Sequence, residues 1–226
     1  MNKLSTDERT RVVAALVEGN SLRSIVRMTG VHRTTIQKLL VSLGQACSAY
    51  QAEAFVNLPC KRIQCDEIWS FVGSKAKNTT PEKKAEGCGD VWTWVAICAD
   101  SKLVPCWAVG GRDAGAAYEF MTDLAGRLAN RVQLTTDAHR PYLSAVEDAF
   151  GADIDYAMLV KLYGKGEQGP ERQYSPAACK GARKVAIKGR PDYKEISTSY
   201  IERQNLTMRM GNAPLHSPDQ WLLKED

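Results

Sequence analysis

A strand-like segment that carries two adjacent acids places the strongest constraint on how this chain can fold. The sequence RIQCDEIWSFVG, from Arg62 to Gly73, is rich in the apolar and aromatic residues typical of a buried β-strand. Asp66 and Glu67 nevertheless lie in its middle. A buried carboxylate without a partner is costly, so this segment predicts a compensating group somewhere else in the fold.

Length and composition limit the classes of protein to consider. The chain has 226 residues, enough for one sizeable core and a small second domain, and its net charge of +4 permits a nucleic-acid partner without requiring one. No apolar run is long enough to span a bilayer, and the charged N-terminus does not resemble a signal peptide, so we expect no membrane association. Seven cysteines without a CxxC pair indicate neither a zinc module nor a disulfide framework and favour a cytoplasmic location.

The N-terminal segment has the pattern of three helices between residues 5 and 43. Ser5 and Glu8 can form a capping box for the first, and the second, SLRSIVRM, leads to a short turn at Gly30. This arrangement is typical of a helix-turn-helix, whose second helix enters the major groove of DNA. We predict that residues 1–45 bind double-stranded DNA through the polar face of the third helix: His32, Arg33, Thr34, Thr35, Gln37 and Lys38.

A small helical interaction domain with a merely solvated face is the alternative for this segment. We predict that residues 46–60, which lie within the segment GQACSAYQAEAFVNLPCK, form a partly helical linker to the next domain.

The main domain, predicted at residues 61–210, begins with three strands and then alternates helices and strands. The predicted elements, in order, are strands at RIQCDEIWSFVG, VWTWVAICAD and KLVPCWAVGG, a helix at DAGAAYEFMTDLAGRLA, a strand at VQLTTDA, a helix at PYLSAVEDAF and a strand at DYAMLVKLY. A basic loop and a last helix, STSYIERQNLTMRM, follow. This order predicts an α/β fold with a mixed sheet flanked by helices, in which the first and fourth strands are neighbours.

Three acids in these elements are candidates for a metal site. Asp66 lies in the first strand, Asp137 ends the fourth, and Glu202 lies on the last helix. Three converging carboxylates would repel one another unless divalent cations lie among them. Oxygen ligands suit Mg²⁺ or Mn²⁺, and two such ions would stabilise the attacking and leaving oxygens of a phosphoryl transfer.

Each acid also has a structural interpretation. Asp66 could be a salt-bridged strand residue with Glu67 as the ligand, although strand alternation puts Asp66 on the polar face with Gln64. Asp137 could belong to a turn or cap before Pro141, with His139 close to it on either reading. Glu202 could close a capping box with a serine three residues earlier.

Five segments together resemble DDE transposases of the insertion sequence 1 family, which have a ribonuclease H-like catalytic domain. They are CDEIWSFVGSK, WTWVAI, VGGRDAGAAYEF, LTTDAHRPY and STSYIERQNLTMRM, and the resemblance runs from about Arg62 to Met210. It implies Asp66, Asp137 and Glu202 as the metal-binding triad, and a basic residue two helical turns after the glutamate, which Arg209 matches. Family members often carry a zinc finger before the helix-turn-helix, and this chain has none.

The activity implied by the resemblance is nicking at the ends of a bacterial insertion sequence, followed by attack of the freed 3′-hydroxyl on target DNA within an oligomeric complex. Basic residues after the fifth strand, among them Lys184, Lys188 and Arg190, would contact the phosphate backbone, unless they only form a solvated loop. Two other functions compatible with the sequence are a helix-turn-helix regulator with a non-catalytic C-terminal domain and a stand-alone nuclease of the same fold.

The last residues, 211–226, break the pattern of the preceding helix. Pro214 and Pro218 forbid its continuation, whereas the family would continue with a long basic helical segment. The degenerate codons of GNAPLHSPDQWLLKED, read one base later from Asn212, can spell the basic sequence MRRFTRLTNGFSKK. We therefore expect a frameshifted tail and a truncated copy, inactive or impaired because the Glu202 helix lacks its packing partner.

Overall fold

The computed structural model describes residues 4–163 and 179–211. Its N-terminal part consists of three packed helices. They are α1 (Thr6–Val17), α2 (Leu22–Thr29) and α3 (Arg33–Ala54). The predicted capping box of Ser5 and Glu8 is present, and Gly30 ends α2 in the left-handed region, with φ of 71°. A small core unites the helices: Val12, Leu22, Ile25, Val31 and Ile36 are buried together.

A six-stranded mixed sheet forms the main body. Its strands are β1 (Arg62–Val72), β2 (Gly89–Cys98), β3 (Trp107–Gly110), β4 (Val132–Thr136), β5 (Ile154–Tyr163) and β6 (Cys179–Lys188). They lie side by side in the order β3-β2-β1-β4-β5-β6. β4 is parallel to β1 and β5, and the other neighbours are antiparallel. The predicted α/β class is confirmed, with the mixed, ribonuclease H-like sheet and with β1 beside β4.

Helices cover both faces of this sheet. Those that follow α3 are α4 (Pro81–Ala85), α5 (Ala114–Arg127), α6 (Pro141–Phe150) and α7 (Ser199–Gly211). The main core lies between the sheet and α5 and α6, and the predicted apolar stripe of α5 is buried there: Ala117, Phe120, Met121 and Leu124. On the opposite face, Ile201 of α7 packs against Ile68, Val95 and Ile97. The two faces of β1 therefore meet different helices.

Some elements differ from their prediction. The predicted basic loop CKGARKVAIKGRPDYK is wrong over residues 179–188, because they form β6, whose backbone pairs with the edge of β5. Lysine and glycine are poor strand formers, and this pairing outweighs their preference. The third strand begins at Trp107 and not near Lys102, because Pro105 has no N–H for a ladder. The polar loop after β1 contains a short 3₁₀ helix (Ala76–Asn78) and α4.

The helix α3 extends from the N-terminal part to the sheet. It runs past residue 45 to Ala54, where Gln51 Nε2 donates to the carbonyl of Val104 (3.0 Å) and Gln51 Oε1 accepts from Trp107 Nε1 (2.8 Å). The division into domains at residues 45, 60 and 210 stays a prediction. Of the predicted frameshifted tail, residues 212–226 lie outside the described residues. Within the described part of the chain, no helix is long and apolar enough to cross a membrane.

Candidate metal centre

Asp66 is placed by the pairing of β1 and by the start of α7. Gln64, two residues earlier on the same face, accepts hydrogen bonds from the backbone N–H groups of Tyr200 (2.9 Å) and Ile201 (3.2 Å). This contact fastens the first turn of α7 to β1. Asp66 then faces the next turn of that helix, where Asn205 Nδ2 donates to Asp66 Oδ2 over 2.9 Å. The face predicted for Asp66 from strand alternation is confirmed by these contacts.

Asp137 directly follows β4, the parallel neighbour of β1. Its Oδ1 accepts from the backbone N–H of His139 (2.9 Å), so it stabilises a turn, whereas Arg140 is the residue that precedes α6. Glu202 lies in the first turn of α7. All three predicted acids line one cavity of about 280 Å³, which is completed by Ala138, Leu159, Lys161, Tyr163 and Thr198. The structure thus brings together side chains from three elements that are far apart in sequence.

Lys161 is a residue of this cavity that the sequence reasoning missed. It lies on β5, and its Nζ is 2.8 Å from Glu202 Oε1, an oxygen that also accepts from the hydroxyl of Thr198. Because α7 begins at Ser199, Glu202 is the fourth residue of the helix, and its carboxylate accepts from the Thr198 hydroxyl instead of closing a capping box with Ser199. A signal was available, because Lys161 is the one basic residue of this mostly apolar strand and lies near its carboxyl end, where ligands bind in open α/β sheets.

Glu67 lies on the other face of β1, among α6 and the turn before α5. Its side chain is 0% exposed, and Arg112 Nε donates to its Oε2 over 3.1 Å. The same guanidinium lies 4.7 Å from the ring of Trp92 and 3.7 Å, through Nη2, from Asp137 Oδ2. Burial raises the pKa of Glu67 to about 7. The Tyr142 hydroxyl faces this carboxylate without meeting hydrogen-bond geometry, so Glu67 Oε1 has no partner within the described ranges.

The electrostatics of these acids favour a cation. Asp66, Glu67 and Asp137 each offer an oxygen, and these oxygens all lie within 4.8 Å of one another. Burial, and then the charge of Asp137, raise the pKa of Asp66, while the hydrogen bond from Asn205 opposes the shift. Asn205 is itself buried, and its carbonyl oxygen is without a partner in the described part of the chain. A donor set of oxygens alone suits hard divalent cations, so this cluster could hold a metal ion.

His139 lies beside the acids, as expected from its place two residues after Asp137. Its ring contacts Trp94 (5.7 Å between centroids) and Tyr142 (5.9 Å), and burial lowers its pKa. Its Nε2 has no hydrogen-bond partner among residues 4–163 and 179–211. A neutral imidazole with an unpartnered ring nitrogen can contact a substrate oxygen or a water.

The predicted DNA-binding residues of α3 surround its first turn. His32 precedes the helix and its Nδ1 accepts from the backbone N–H of Thr34, which ties the imidazole to the helix start. Thr34, Thr35 and Lys38 are exposed, whereas Arg33 and Gln37 are half-buried. This face presents hydroxyl, ammonium and guanidinium donors together, the chemistry that the prediction requires, and its binding to DNA stays a prediction.

The predicted basic residues of the main domain are more dispersed. Lys184 Nζ donates to the carbonyl of Tyr193, and Lys188 pairs with Glu147. Lys188 lies opposite Tyr156 in the register, at the other end of β5 from the cavity, and Arg190 follows it. Arg209 is exposed on the last turn of α7. Of these four residues, only Arg209 shares an element with one of the three acids.

Comparison with known proteins gives little beyond the geometry. No known family profile matches the sequence, and no curated protein matches it. Among solved structures, the cryo-EM structure of a piggyBac transposase synaptic complex with hairpin DNA is similar over 95% of this chain, with a TM-score of 0.36 and 10% sequence identity. This chain covers 60% of the length of that chain. A likeness this distant says nothing of what the present protein binds.

Proposed function

We propose that this chain is a metal-dependent transposase that binds the ends of a bacterial insertion sequence and catalyses cleavage and strand transfer on DNA. The observation that carries the proposal is the convergence of Asp66, Asp137 and Glu202, from β1, the end of β4 and α7, on one cavity. Asp66 and Asp137 repel each other unless a cation lies between them, whereas Glu202 in the same cavity pairs with Lys161. The resemblance of the sequence to the insertion sequence 1 family supports the same reading.

The three acids would hold one or two Mg²⁺ or Mn²⁺ ions. Such ions polarise a phosphodiester and lower the pKa of a bound water or hydroxyl. The remaining work falls to the residues around the acids. Asn205 orients Asp66 through its 2.9 Å hydrogen bond, and Gln64 fixes the distance between β1 and the helix that carries Glu202. Lys161 offers a positive charge in the same cavity, where it pairs with Glu202 and would meet a DNA phosphate.

DNA would be held by two sets of residues in a homo-oligomeric complex. The start of α3 would read base edges of the ends, through Arg33, Gln37 and their exposed neighbours. Lys184, Lys188, Arg190 and Arg209 would contact the phosphate backbone and make binding depend on salt.

The experiment compares cleavage with binding on DNA that carries the ends of the element encoding this chain. Asp66→Asn, Asp137→Asn and Glu202→Gln should each abolish Mg²⁺- or Mn²⁺-dependent nicking and strand transfer, while gel-shift affinity stays unchanged. Asp153→Asn removes an acid whose side chain is 79% exposed at the other end of the sheet, and this matched control should keep full activity.

If a variant of one of these three acids still cleaves DNA normally, that acid is not a metal ligand. A wild-type chain that binds the ends but neither binds Mn²⁺ nor cleaves would instead support the regulator with a non-catalytic domain.

A further inference from the structure

We propose that Arg112 is a positioning residue that keeps Glu67 out of the metal centre, so that of two adjacent acids on β1 only Asp66 is a ligand. The inference rests on the proposed function, because it assigns the acids of that same site. No pattern in the sequence predicts it, since Arg112 lies in the turn between β3 and α5, 45 residues after Glu67.

The first observation is that Glu67 is sequestered. Its side chain is fully buried, and it lies opposite Trp94, a residue of the main core. Asp66 faces the other way, towards Asn205 and the cavity. A carboxylate in so dry a place must be neutralised, protonated or bound to a cation.

The second observation is that Arg112 supplies this neutralisation from a fixed position. Its Nε donates to Glu67 Oε2 at 3.1 Å, and its guanidinium lies on the ring of Trp92 at 4.7 Å. Stacking on an aromatic ring holds a planar guanidinium in place while its edge remains free to donate. A second nitrogen of Arg112 lies 3.7 Å from Asp137, so the same cation also faces a proposed ligand.

The third observation is that Glu67 could otherwise reach the metal. One of its oxygens lies within 4.8 Å of oxygens of both Asp66 and Asp137, and its Oε1 has no other partner in the described part of the chain. Without Arg112, the unpaired carboxylate would turn to the ion as an additional ligand. An extra protein ligand occupies a position that Mg²⁺ otherwise keeps for water and phosphate. Arg112 would therefore leave positions on a bound ion open to water and phosphate.

The test removes each charge alone and then both together, and it measures Mn²⁺ affinity by electron paramagnetic resonance on the full chain. Arg112→Met should tighten Mn²⁺ binding by roughly tenfold or more, because it frees Glu67, and should lower nicking by roughly 10–100-fold. Glu67→Gln alone should weaken Mn²⁺ binding, because it leaves a lone guanidinium beside the ion. The double variant Arg112→Met/Glu67→Gln keeps the net charge and should retain wild-type Mn²⁺ affinity within about threefold.

Two controls separate this role from a structural one. The pair formed by Arg131 and Asp155 has a similarly exposed arginine but lies at the start of β4 and β5, away from the cavity. Its neutral replacement, Arg131→Met/Asp155→Asn, should lower the thermal midpoint in EDTA without changing Mn²⁺ affinity. The double variant at Arg112 and Glu67 should also fold, because a buried ion pair can often be replaced by neutral residues at little cost.

The inference is overturned if the double variant loses as much Mn²⁺ affinity as Asp66→Asn, because Glu67 is then a ligand. It is also overturned if Arg112→Met leaves Mn²⁺ affinity unchanged. Failure of the proposed function gives another result: the wild-type chain itself binds no Mn²⁺. That result would contradict both the proposed function and the role of Arg112.

Discussion

Replacing Asp66 by asparagine should stabilise the metal-free protein, even though it removes a residue that we place in the metal centre. Oxygens of Asp66 and Asp137 lie no more than 4.8 Å apart, and the charge of Asp137 helps to raise the pKa of Asp66. Two like charges at this separation repel by about 1 kcal/mol at the dielectric constant of water and by about 3 kcal/mol at an effective constant of roughly 20.

Two further contributions fix the expected size of the effect. Asparagine keeps an oxygen that can accept the hydrogen bond from Asn205 Nδ2, so that contact survives the substitution. The attraction of Asp66 to Lys161 is lost and offsets part of the gain. We therefore expect the free energy of unfolding to rise by about 1 kcal/mol when no metal is present.

Urea unfolding measured in EDTA and again in Mn²⁺ is the appropriate assay. At a Mn²⁺ concentration of about 100 times the dissociation constant, the wild-type protein should gain about 2.7 kcal/mol, and the variant should gain far less. Asp153→Asn, the exposed control, should behave as wild type in both conditions. A loss of more than about 1 kcal/mol for Asp66→Asn in EDTA would refute the reasoning, because the carboxylate would then be held by stabilising partners like a structural acid.

Two other substitutions test the DNA contacts and the core beneath the site. Arg33→Ala should weaken binding to the element's ends by about 1–3 kcal/mol and should weaken binding to a scrambled duplex much less, whereas Arg209→Ala should weaken both equally. Gel-shift titrations on the two duplexes measure these losses, and equal losses for Arg33→Ala would contradict base reading. Trp94→Ala should lower the free energy of unfolding by about 3–5 kcal/mol, because this fully buried ring packs on Phe120 and Tyr142; urea unfolding measures it, and a loss below about 1 kcal/mol would contradict the packing argument.

Local patterns in the sequence predicted those elements whose structure depends on neighbours in the chain. The bounds of α6, Pro141–Phe150, match because proline starts a helix and Gly151 ends this one. The face of Asp66 followed from strand alternation, and the neighbouring positions of β1 and β4 followed from the order of elements.

The features that escaped prediction depend on pairing across long distances. Residues 179–188 read as a loop by composition and become a strand only because the edge of β5 is beside them. Arg112 is an ordinary turn residue until the fold puts it against a buried acid on another strand. The place of Lys161 in the cavity depends on its ion pair with Glu202. Glu202 follows it by 41 positions and approaches it only through the packing of α7 on β1.

The antiparallel ladder between β1 and β2 is continuous from Ile63 to Val72. This ladder determines where the chain can tolerate insertions and deletions. Asp66 and Glu67 are consecutive, so the slip of a single residue would turn Asp66 into the core and Glu67 towards the cavity. A one-residue insertion or deletion that slips the register of β1 at the acids therefore exchanges their faces, whereas a change of length between residues 74 and 88 moves neither. Variants of different length that remain functional should carry their extra or missing residues in that intervening segment, and the strand itself should keep a constant number of residues.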